Sequence, residues 1–306
     1  MAARVLVIGS SNTDLVCRSP RIPAPGETIT GRSFAMFAGG KGANQAVAAA
    51  RAGAEVAFVG ACGEDEFGIA RRADLVAEGI SVDRMRVVPG VSSGVALIVV
   101  DDRGENQIVY VPGANGQIDV EDAAAALADL DYQVVSMTFE IPFAIVAHAV
   151  RHRRDGALVV LNAAPYDDRL IDLLPDIDVL VCNEIEAAAV LGRAVVDATA
   201  VQDAVALRER GPKSVVLTLG GAGAVAADRS GAWRTPAPAV DVIDTTGAGD
   251  AFCGALSAWL ADGRPLREAV RAGVAAGSLA VTREGAQPSS PMHDAISAML
   301  QQISGG

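Results

Sequence analysis

The chain has 306 residues, of which 51% are hydrophobic, and its 25 basic and 37 acidic side chains give a net charge of −12. This length and hydrophobic content exclude wholesale disorder, and the acidic balance opposes sequence-independent binding to nucleic acid or to an anionic membrane. An anionic ligand must therefore be held by a local group of donors.

Short β-branched segments alternate with alanine-rich amphipathic segments along nearly the whole chain. This alternation predicts an α/β fold in which helices cover both faces of a mainly parallel central sheet. In chain order, the predicted strands are residues 5–8, 55–59, 134–137, 158–161, 179–182 and 214–218. The predicted helices lie near residues 42–52, 66–79, 119–128, 143–153, 199–210, 248–261 and 265–281.

Two segments, residues 13–38 and 94–111, interrupt this alternation. The second has the pattern of a β-hairpin, with an Asp-Asp-Arg-Gly turn between two β-branched runs. We expect a small β-sheet beside the main one, either as a lid over ligands bound at the strand ends or as a structural edge that makes a dimer contact. Residues 1–306 are thus expected to form one domain with this small sheet as its lid.

The sequence contains no pattern for membrane insertion or secretion. Its longest uncharged apolar stretch, residues 214–227, has 14 residues including three glycines, which is shorter than the ~20 residues of a membrane span. The first residues include no long apolar block before a cleavage site, so we expect a cytoplasmic protein without a signal peptide. The four cysteines form no C-x-x-C pair, which predicts reduced thiols and no metal cluster.

A glycine-rich block, residues 39–46 with the sequence GGKGANQA, precedes a predicted helix. Its glycines let the backbone approach a ligand closely, Lys41 supplies a charge, and Asn44 supplies both a donor and an acceptor. Lys41 is one of only two lysines in the chain, so the overall composition does not account for a lysine within this glycine-rich block. The alternative is a plain turn into a helix.

A second block, residues 244–250 with the sequence DTTGAGD, begins another predicted helix. The N–H groups of Gly247, Ala248 and Gly249 would lie at the helix N-terminus, where free donors and the helix dipole favour an anion such as a transferring phosphoryl group. Asp250 could take a proton from a hydroxyl beside that anion. The alternative is an ordinary helix cap made by Asp or Thr.

Together the two blocks resemble the ribokinase-like family of carbohydrate kinases. The family pattern G-G-x-G-x-N-x-A is matched by residues 39–46, and D-T-x-G-A-G-D by residues 244–250. The resemblance extends over residues 7–291 and implies transfer of the γ-phosphoryl group of ATP to a sugar. The segments GSSNTD, GGKGANQA and PGAN are most similar to members that phosphorylate D-ribose at O5. A kinase for deoxyribose, fructose or a nucleoside, and a non-catalytic sugar-binding regulator, remain alternatives.

The resemblance implies roles for individual residues of the sugar and phosphoryl sites. Asp250 would be the catalytic base, and the amides of Gly247, Ala248 and Gly249 would form the anion hole. Residues implied to bind the sugar are Asn12, Asp14, Gly39, Gly40, Lys41, Asn44 and Glu140, together with Asp250. Without the resemblance, Asp14 is equally well explained as a turn cap and Glu140 as an acid at a helix start.

The resemblance also implies a nucleotide site and a monovalent-cation site. Asn183 and Glu186 would act near the phosphates and Mg²⁺ through water, although Asn183 alone is better explained as a helix cap. Thr218, Gly220 and Gly223 would line the ATP site, with a plain glycine turn as the alternative. The potassium site would comprise Asp244, Thr246, Ala280, Arg283, Gly285 and Ser289. A homodimer joined through the small sheet is also expected.

Overall fold

The computed structural model describes residues 2–304 and contains alternating strands and helices. The strands are β1 (Arg4–Ile8), β2 (Asn12–Arg18), β3 (Ser33–Gly39), β4 (Glu55–Gly63), β5 (Ser81–Val88), β6 (Gly94–Val100), β7 (Asn106–Val111), β8 (Val134–Met137), β9 (Leu158–Asn162), β10 (Val179–Asn183), β11 (Ser214–Thr218), β12 (Ala224–Asp228) and β13 (Gly231–Thr235). The helices are α1 (Lys41–Arg51), α2 (Glu66–Ala77), α3 (Val120–Asp129), α4 (Phe143–His152), α5 (Glu184–Leu191), α6 (Ala200–Glu209), α7 (Ala248–Ala261), α8 (Leu266–Ala280) and α9 (His293–Ser304).

The central sheet has the strand order β13-β12-β11-β10-β9-β8-β1-β4-β5 within the described residues. The strands from β11 to β5 pair in parallel, and β12 and β13 extend one edge in antiparallel orientation. A parallel strand covered on both faces needs a continuous apolar run, and β1 has one, with residues 5–8 all buried. The predicted mainly parallel α/β fold is confirmed.

Helices cover both faces of this sheet, as predicted. On one face, α3, α4, α5 and α6 contribute to a large apolar cluster rich in Leu, Ile and Val. On the other, α1, α2, α7 and α8 pack with the opposite side chains of the same strands. The two clusters are the core that holds the strand ends in place.

Helices α1 and α7 approach each other closely at one glycine. A Cβ atom on Gly254 of α7 would come within 2.4 Å of Cβ of Ala48 and 2.7 Å of the carbonyl oxygen of Gln45 in α1. Only glycine permits this contact without moving a helix. The contact sets the first turns of the two helices side by side, although they are far apart in the sequence.

The two segments that interrupt the predicted alternation form a separate four-stranded sheet, in the order β3-β2-β6-β7. Strands β6 and β7 make the predicted hairpin, while β2 pairs with β3 in antiparallel and with β6 in parallel orientation. The expectation of a small second sheet is therefore confirmed.

Several elements escape prediction from the sequence, namely β5, β12, β13, α5 and α9. The apolar stretch 214–227 is divided into β11 and β12 by a turn in which Gly220 and Gly223 have φ of 51° and 90°. Helix α5 has only 8 residues, which is too short for a clear helical period. Among residues 2–304, no helix combines the length and the apolar character needed to cross a membrane.

Candidate active site

Helix α7 begins without a side-chain cap. Gly247 is its N-cap residue, with a φ of 74°, and no side chain accepts a hydrogen bond from the first-turn N–H groups. Asp244, a capping residue in the alternative explanation, instead accepts hydrogen bonds from the backbone N–H groups of Thr246 and Gly285, each at 2.9 Å. The first turn of α7 therefore keeps backbone N–H groups that can donate hydrogen bonds to an anion.

The three residues of the predicted anion hole differ in their surroundings. A Cβ atom on Gly247 would come within 2.6 Å of Cα of Ala286, so this glycine is pressed against the loop that follows α8. The N–H of Ala248 makes a long hydrogen bond of 3.3 Å to the carbonyl oxygen of Thr245. A Cβ atom on Gly249 would meet nothing within 4 Å. The backbone at Gly249 thus faces open space.

The carboxylate of Asp250, in the first turn of α7, is held by two amides from α1. Asn44 Nδ2 donates to Oδ2 at 3.0 Å, and Gln45 Nε2 donates to Oδ1 at 3.1 Å. The side chain of Asp250 is only 6% exposed. The two glycine-rich blocks, separated by about 200 residues of sequence, therefore meet at this carboxylate.

The first block packs tightly against Asn12 and Asp14. A Cβ atom on Gly39 would come within 2.3 Å of Oδ2 of Asp14, and one on Gly40, whose φ is 89°, within 2.8 Å of the backbone nitrogen of Asn12. Gly40 therefore requires glycine, and the absence of a side chain at Gly39 leaves room for the Asp14 carboxylate. The residues predicted to bind the sugar lie together at this end of the site.

Asp14 and Glu140 are two further carboxyl groups near Asp250. Asp14 lies within β2, so it does not cap a turn, and burial together with the charge of Glu140 raises its pKa to about 6, against the effect of Arg71. Glu140 Oε2 accepts hydrogen bonds from the Ser10 hydroxyl at 2.6 Å and from the Lys41 backbone N–H at 2.9 Å. Helix α4 has no side-chain cap, so Glu140 is not a capping acid. Both groups are positioned to pair with hydroxyls.

Lys41 is the cation of the site. The negative charges of Asp250, Glu140 and Glu186 raise its pKa, and Asp250 contributes most. The second lysine, Lys213, pairs with Asp178 at 2.7 Å, at the opposite ends of the strands. Of the two lysines, only Lys41 reaches the carboxyl ends of the strands, where ligands bind in such sheets.

A cavity of about 600 Å³ opens beside Asp250 and Lys41. Its far wall is apolar and includes residues 237–240, Val274 and Val281. Pockets of this size and character bind small molecules. The sequence-predicted residues that line it are Lys41, Asn183, Glu186, Thr218, Gly220, Gly223, Gly247, Ala248, Gly249 and Asp250.

Asn183 and Glu186 form a capping box at the start of α5. Asn183 Oδ1 accepts hydrogen bonds from the N–H groups of Ile185 and Glu186, and Glu186 Oε2 accepts one from the N–H of Asn183 at 2.8 Å. The helix-cap explanation of Asn183 is therefore correct as local structure, although both residues also line the cavity. Burial raises the pKa of Glu186, opposed by its hydrogen bond from Asn183 and by the charge of Lys41.

Comparison with known proteins identifies the family. The model of the pfkB family of carbohydrate kinases matches residues 2–293. The chain belongs to the pfkB family. It is 37% identical to a ribokinase of Haemophilus influenzae over 296 residues, which cover 95% of this chain and 96% of that one. It is 33% identical to a deoxyribokinase of Salmonella typhi over 291 residues, covering 94% of this chain and 95% of the relative.

The fold comparison agrees with the family. The structure of an Arabidopsis thaliana ribokinase complexed with ribose and ATP superposes with a TM-score of 0.87 at 30% identity, covering 98% of this chain and 99% of the other. The fold is therefore that of solved pfkB-family kinases, and the resemblance based on the two blocks is confirmed.

Five of the six predicted cation-site residues lie on two connected loops, one before α7 and one after α8, and the sixth, Ala280, is the last residue of α8. Asp244, in the loop before α7, joins the two loops by accepting the hydrogen bond from the N–H of Gly285. Ala280 ends α8, and its carbonyl accepts a 3.1 Å hydrogen bond from the N–H of Arg283. The Ser289 hydroxyl donates to the carbonyl of Ala286 at 2.9 Å.

Four polar side chains of this pfkB-family site escape prediction from the sequence: Ser10, Gln45, Tyr110 and Asn115. Asn115 Nδ2 donates to Asn12 Oδ1 at 2.7 Å, and the Tyr110 hydroxyl interacts with both amides. Burial and the charge of Glu140 raise the pKa of Tyr110 to about 12. Gln45 and Asn115 stand inside the quoted motifs GGKGANQA and PGAN, and a polar residue in an otherwise small or apolar run is the signal that could find them.

Proposed function

We propose that the protein is an ATP-dependent kinase that transfers the γ-phosphoryl group of ATP to O5 of D-ribose, giving D-ribose 5-phosphate and ADP. Membership of the pfkB family and 37% identity to a ribokinase support this function. The whole chain is one kinase domain in this proposal, with the small sheet as its lid.

One observation carries the proposal: Asn44, from the first glycine block, donates a hydrogen bond to Asp250 at the start of α7. The other amide atom of Asn44, Oδ1, is buried without a hydrogen-bond partner in the described part of the chain. A buried acceptor left unpaired is costly, so a ligand hydroxyl that donates to it gains binding energy. Asn44 can thus hold a sugar hydroxyl next to the carboxylate that would deprotonate it.

In this proposal, each end of the site has its own role. Asp250 takes the proton of the O5 hydroxyl while O5 bonds to the γ-phosphorus and the bond from that phosphorus to its bridging oxygen breaks. The first-turn amides of α7 stabilise the charge on the transferring group, and one such donor is worth about 3 kcal/mol in comparable sites. Asp14, Glu140 and Asn12 hold the remaining sugar hydroxyls.

The charges of the site fit a nucleotide bound with Mg²⁺. Three carboxylates act on Lys41, so a polyphosphate entering the cavity needs further positive charge. Among residues 2–304, no three His, Cys, Asp or Glu side chains are arranged to hold a metal. Mg²⁺ usually keeps several waters and binds through phosphates plus one or two carboxylates. Asn183 and Glu186 would hold it through water, and bound Mg²⁺ would neutralise phosphate charge.

We also propose that K⁺ activates the enzyme. The predicted donors lie on the two loops that Asp244 joins, and one of those loops leads directly into Gly247 at the start of α7. A cation held there by Asp244, Thr246, Gly285 and the carbonyls of the loop after α8 would stabilise the loop that presents the anion hole.

A substrate screen tests the function. Purified protein is assayed for ADP formation with ATP and Mg²⁺ against D-ribose, 2-deoxy-D-ribose, D-fructose and adenosine, in K⁺ or in Na⁺. We expect the highest kcat/KM for ribose, and severalfold slower turnover in Na⁺ than in K⁺. A different leading substrate would reassign the protein to a sister kinase. Absence of ADP with every substrate would favour a non-catalytic sugar-binding regulator.

The small sheet supports a homodimer. Met36, Leu97 and Val109 share the face opposite Asp14 and are 58%, 46% and 59% exposed, and Phe34 on the same face is 62% exposed. A contiguous exposed apolar face on a small sheet is typical of an interaction surface. We propose that it pairs with the same face of a second copy.

Light scattering tests the dimer. We expect a mass of about twice 31.2 kDa for the wild type and a monomer for Leu97→Arg, because a charge in the centre of the paired faces is desolvated without a partner. Ile69→Arg is the control, since Ile69 is 70% exposed on α2 and lies outside the small sheet. A monomeric wild type, or a dimer that survives Leu97→Arg, would contradict the proposed contact.

We also propose that the protein is located in the cytoplasm. All four cysteines are unpaired, as in proteins of reducing compartments, and the proposed reaction requires ATP.

A further inference from the structure

Three polar side chains lie beneath Asp250, on three different elements of the sheet and helix layers: Gln45 on α1, Ser136 on β8 and Asn162 on β9. Gln45 and Ser136 are each only 1% exposed. The other residues of β8 are Val, Val and Met, so Ser136 is the polar exception in an otherwise apolar strand. Buried polar groups of this kind cost free energy unless they are paired, so their pairing needs an explanation.

Every polar group of the Gln45 amide is used within this cluster. Its Nε2 donates to Asp250 Oδ1 at 3.1 Å and to Asn162 Oδ1 at 3.4 Å, and its Oε1 accepts from the Ser136 hydroxyl at 3.3 Å. The orientation of the amide follows from chemistry, because an ionised carboxylate only accepts hydrogen bonds and must face the NH₂ group. Ser136 reinforces that orientation by donating to the amide oxygen.

The two oxygens of Asp250 are thereby distinguished. Oδ1 faces the buried Gln45, whereas Oδ2 faces Asn44, whose own Oδ1 has no hydrogen-bond partner in the described part of the chain. Gln45 is only 1% exposed, and both polar atoms of its amide are already hydrogen-bonded within the cluster, so it keeps no free group for a sugar. Any effect of Gln45 on the reaction must therefore pass through Asp250.

We propose that Gln45 and Ser136 are positioning residues: Ser136 orients the Gln45 amide, and Gln45 holds Asp250 so that Oδ2 faces the acceptor hydroxyl and takes its proton. The expected effects on kcat rest on the proposed kinase function. The expected position of Asp250 rests only on the hydrogen bonds among Ser136, Gln45 and Asp250. A carboxylate pinned at one oxygen cannot rotate away from the hydroxyl, and small misplacements of a reacting group cost large factors in rate.

Substitutions along this series of hydrogen bonds test the proposal. Gln45→Met keeps the length of the side chain without its amide, Ser136→Ala removes the hydroxyl, and the double variant combines them. Ser257→Ala is the matched control, because Ser257 is a fully buried serine on α7 whose hydroxyl has no hydrogen-bond partner in the described part of the chain. Each variant is assayed for kcat and for ribose KM, and its thermal unfolding is measured.

Gln45→Met is expected to lower kcat by about 10- to 100-fold while ribose KM stays within about 2-fold, because the variant disturbs the base and leaves the sugar contacts in place. Ser136→Ala should lower kcat less. The double variant should match Gln45→Met, since Ser136 acts only through Gln45. Gln45→Met should add no further loss to Asp250→Asn, and Ser257→Ala should keep the wild-type kcat.

Crystal structures of the wild type and of Gln45→Met supply a readout that does not depend on activity. We expect the Asp250 carboxylate to rotate or to occupy more than one rotamer in the variant. An unchanged Asp250 rotamer, independent effects of the two single substitutions on kcat, or a further loss in the Asp250→Asn background would overturn the positioning role. If the wild type phosphorylates no sugar, the kinase function fails, and the crystal comparison alone decides the positioning of Asp250.

Discussion

Asp250→Asn is expected to lower kcat for ribose phosphorylation by about 10³-fold, because a positioned general base contributes roughly 10²- to 10⁴-fold and an amide cannot take the proton. The other sugar contacts, from Asp14, Glu140 and Asn44, remain in this variant. Ribose KM should therefore change much less than kcat. Steady-state kinetics at saturating ATP, with ribose varied, measures both constants.

The Asn side chain at position 250 also affects stability, and the experiment must separate this effect from the loss of the catalytic base. In the wild type, both oxygens of Asp250 accept hydrogen bonds from amide NH₂ groups. The new NH₂ group would face one of those donors, and leaving a buried donor unpaired costs about 1–3 kcal/mol. We therefore expect a moderately lower unfolding temperature, and ribose binding by calorimetry should show that the folded variant still binds.

Asp262→Asn provides the matched control for Asp250→Asn. Asp262 is the C-cap residue of the same helix, α7, and its exposed carboxylate pairs with Arg264. The same chemical change at the other end of the helix should leave kcat near the wild-type value. Near-normal turnover in Asp250→Asn would refute the assignment of the base, whatever its effect on stability.

The sequence predicts the parts of the fold that repeat regularly. The strands from β11 to β4 in the sheet order are short apolar runs between amphipathic helices, and every one of them is found where periodicity places it. The edge strand β5 follows helix α2 in the alternation, but its sequence SVDRMRVV contains three charged residues and is not a plain apolar run. The edge strands β12 and β13 leave the alternation, since they are joined by a tight turn and pair in antiparallel orientation. The local sequence pattern predicts strands poorly at the edges of a sheet, because the pairing with a neighbouring strand determines whether an edge segment is extended.

The candidate site is predictable to the extent that its residues stand in compact motifs. Lys41, Asn44 and Asp250 lie in two glycine-rich blocks; in the structure, Lys41 and Asp250 line one cavity, and Asn44 donates a hydrogen bond to Asp250. The partners of the supporting residues depend on tertiary packing, and the local sequence does not show which residues meet. Gln45 on α1 and Ser136 on β8 are 91 residues apart in the sequence, and their hydrogen bond exists only once the helix is packed against the sheet. A single sequence does not reveal that geometry.

Gly247→Ala is expected to destabilise the protein by about 2–4 kcal/mol, from the cost of a left-handed conformation and from overpacking. Gly247 has a φ of 74°, and an added Cβ would lie 2.6 Å from Cα of Ala286, which is backbone and cannot swing aside. The loop after α8 must then move away from the start of α7. Thermal unfolding should show a lowered midpoint, and activity should fall because the first-turn amides are displaced.

Gly249→Ala is the control for Gly247→Ala, because it also replaces a glycine of the same block by alanine but creates no backbone strain or close contact. Gly249 is helical, and an added Cβ would meet nothing within 4 Å, so the substitution should raise helix stability by about 1 kcal/mol.

Gly247→Ala should also require more K⁺ for half-maximal activity, because the displaced loop contains Gly285, which Asp244 ties to the start of α7. A wild-type unfolding midpoint in Gly247→Ala, or equal destabilisation by both substitutions, would show that the close contact with Ala286 does not hold this loop in place.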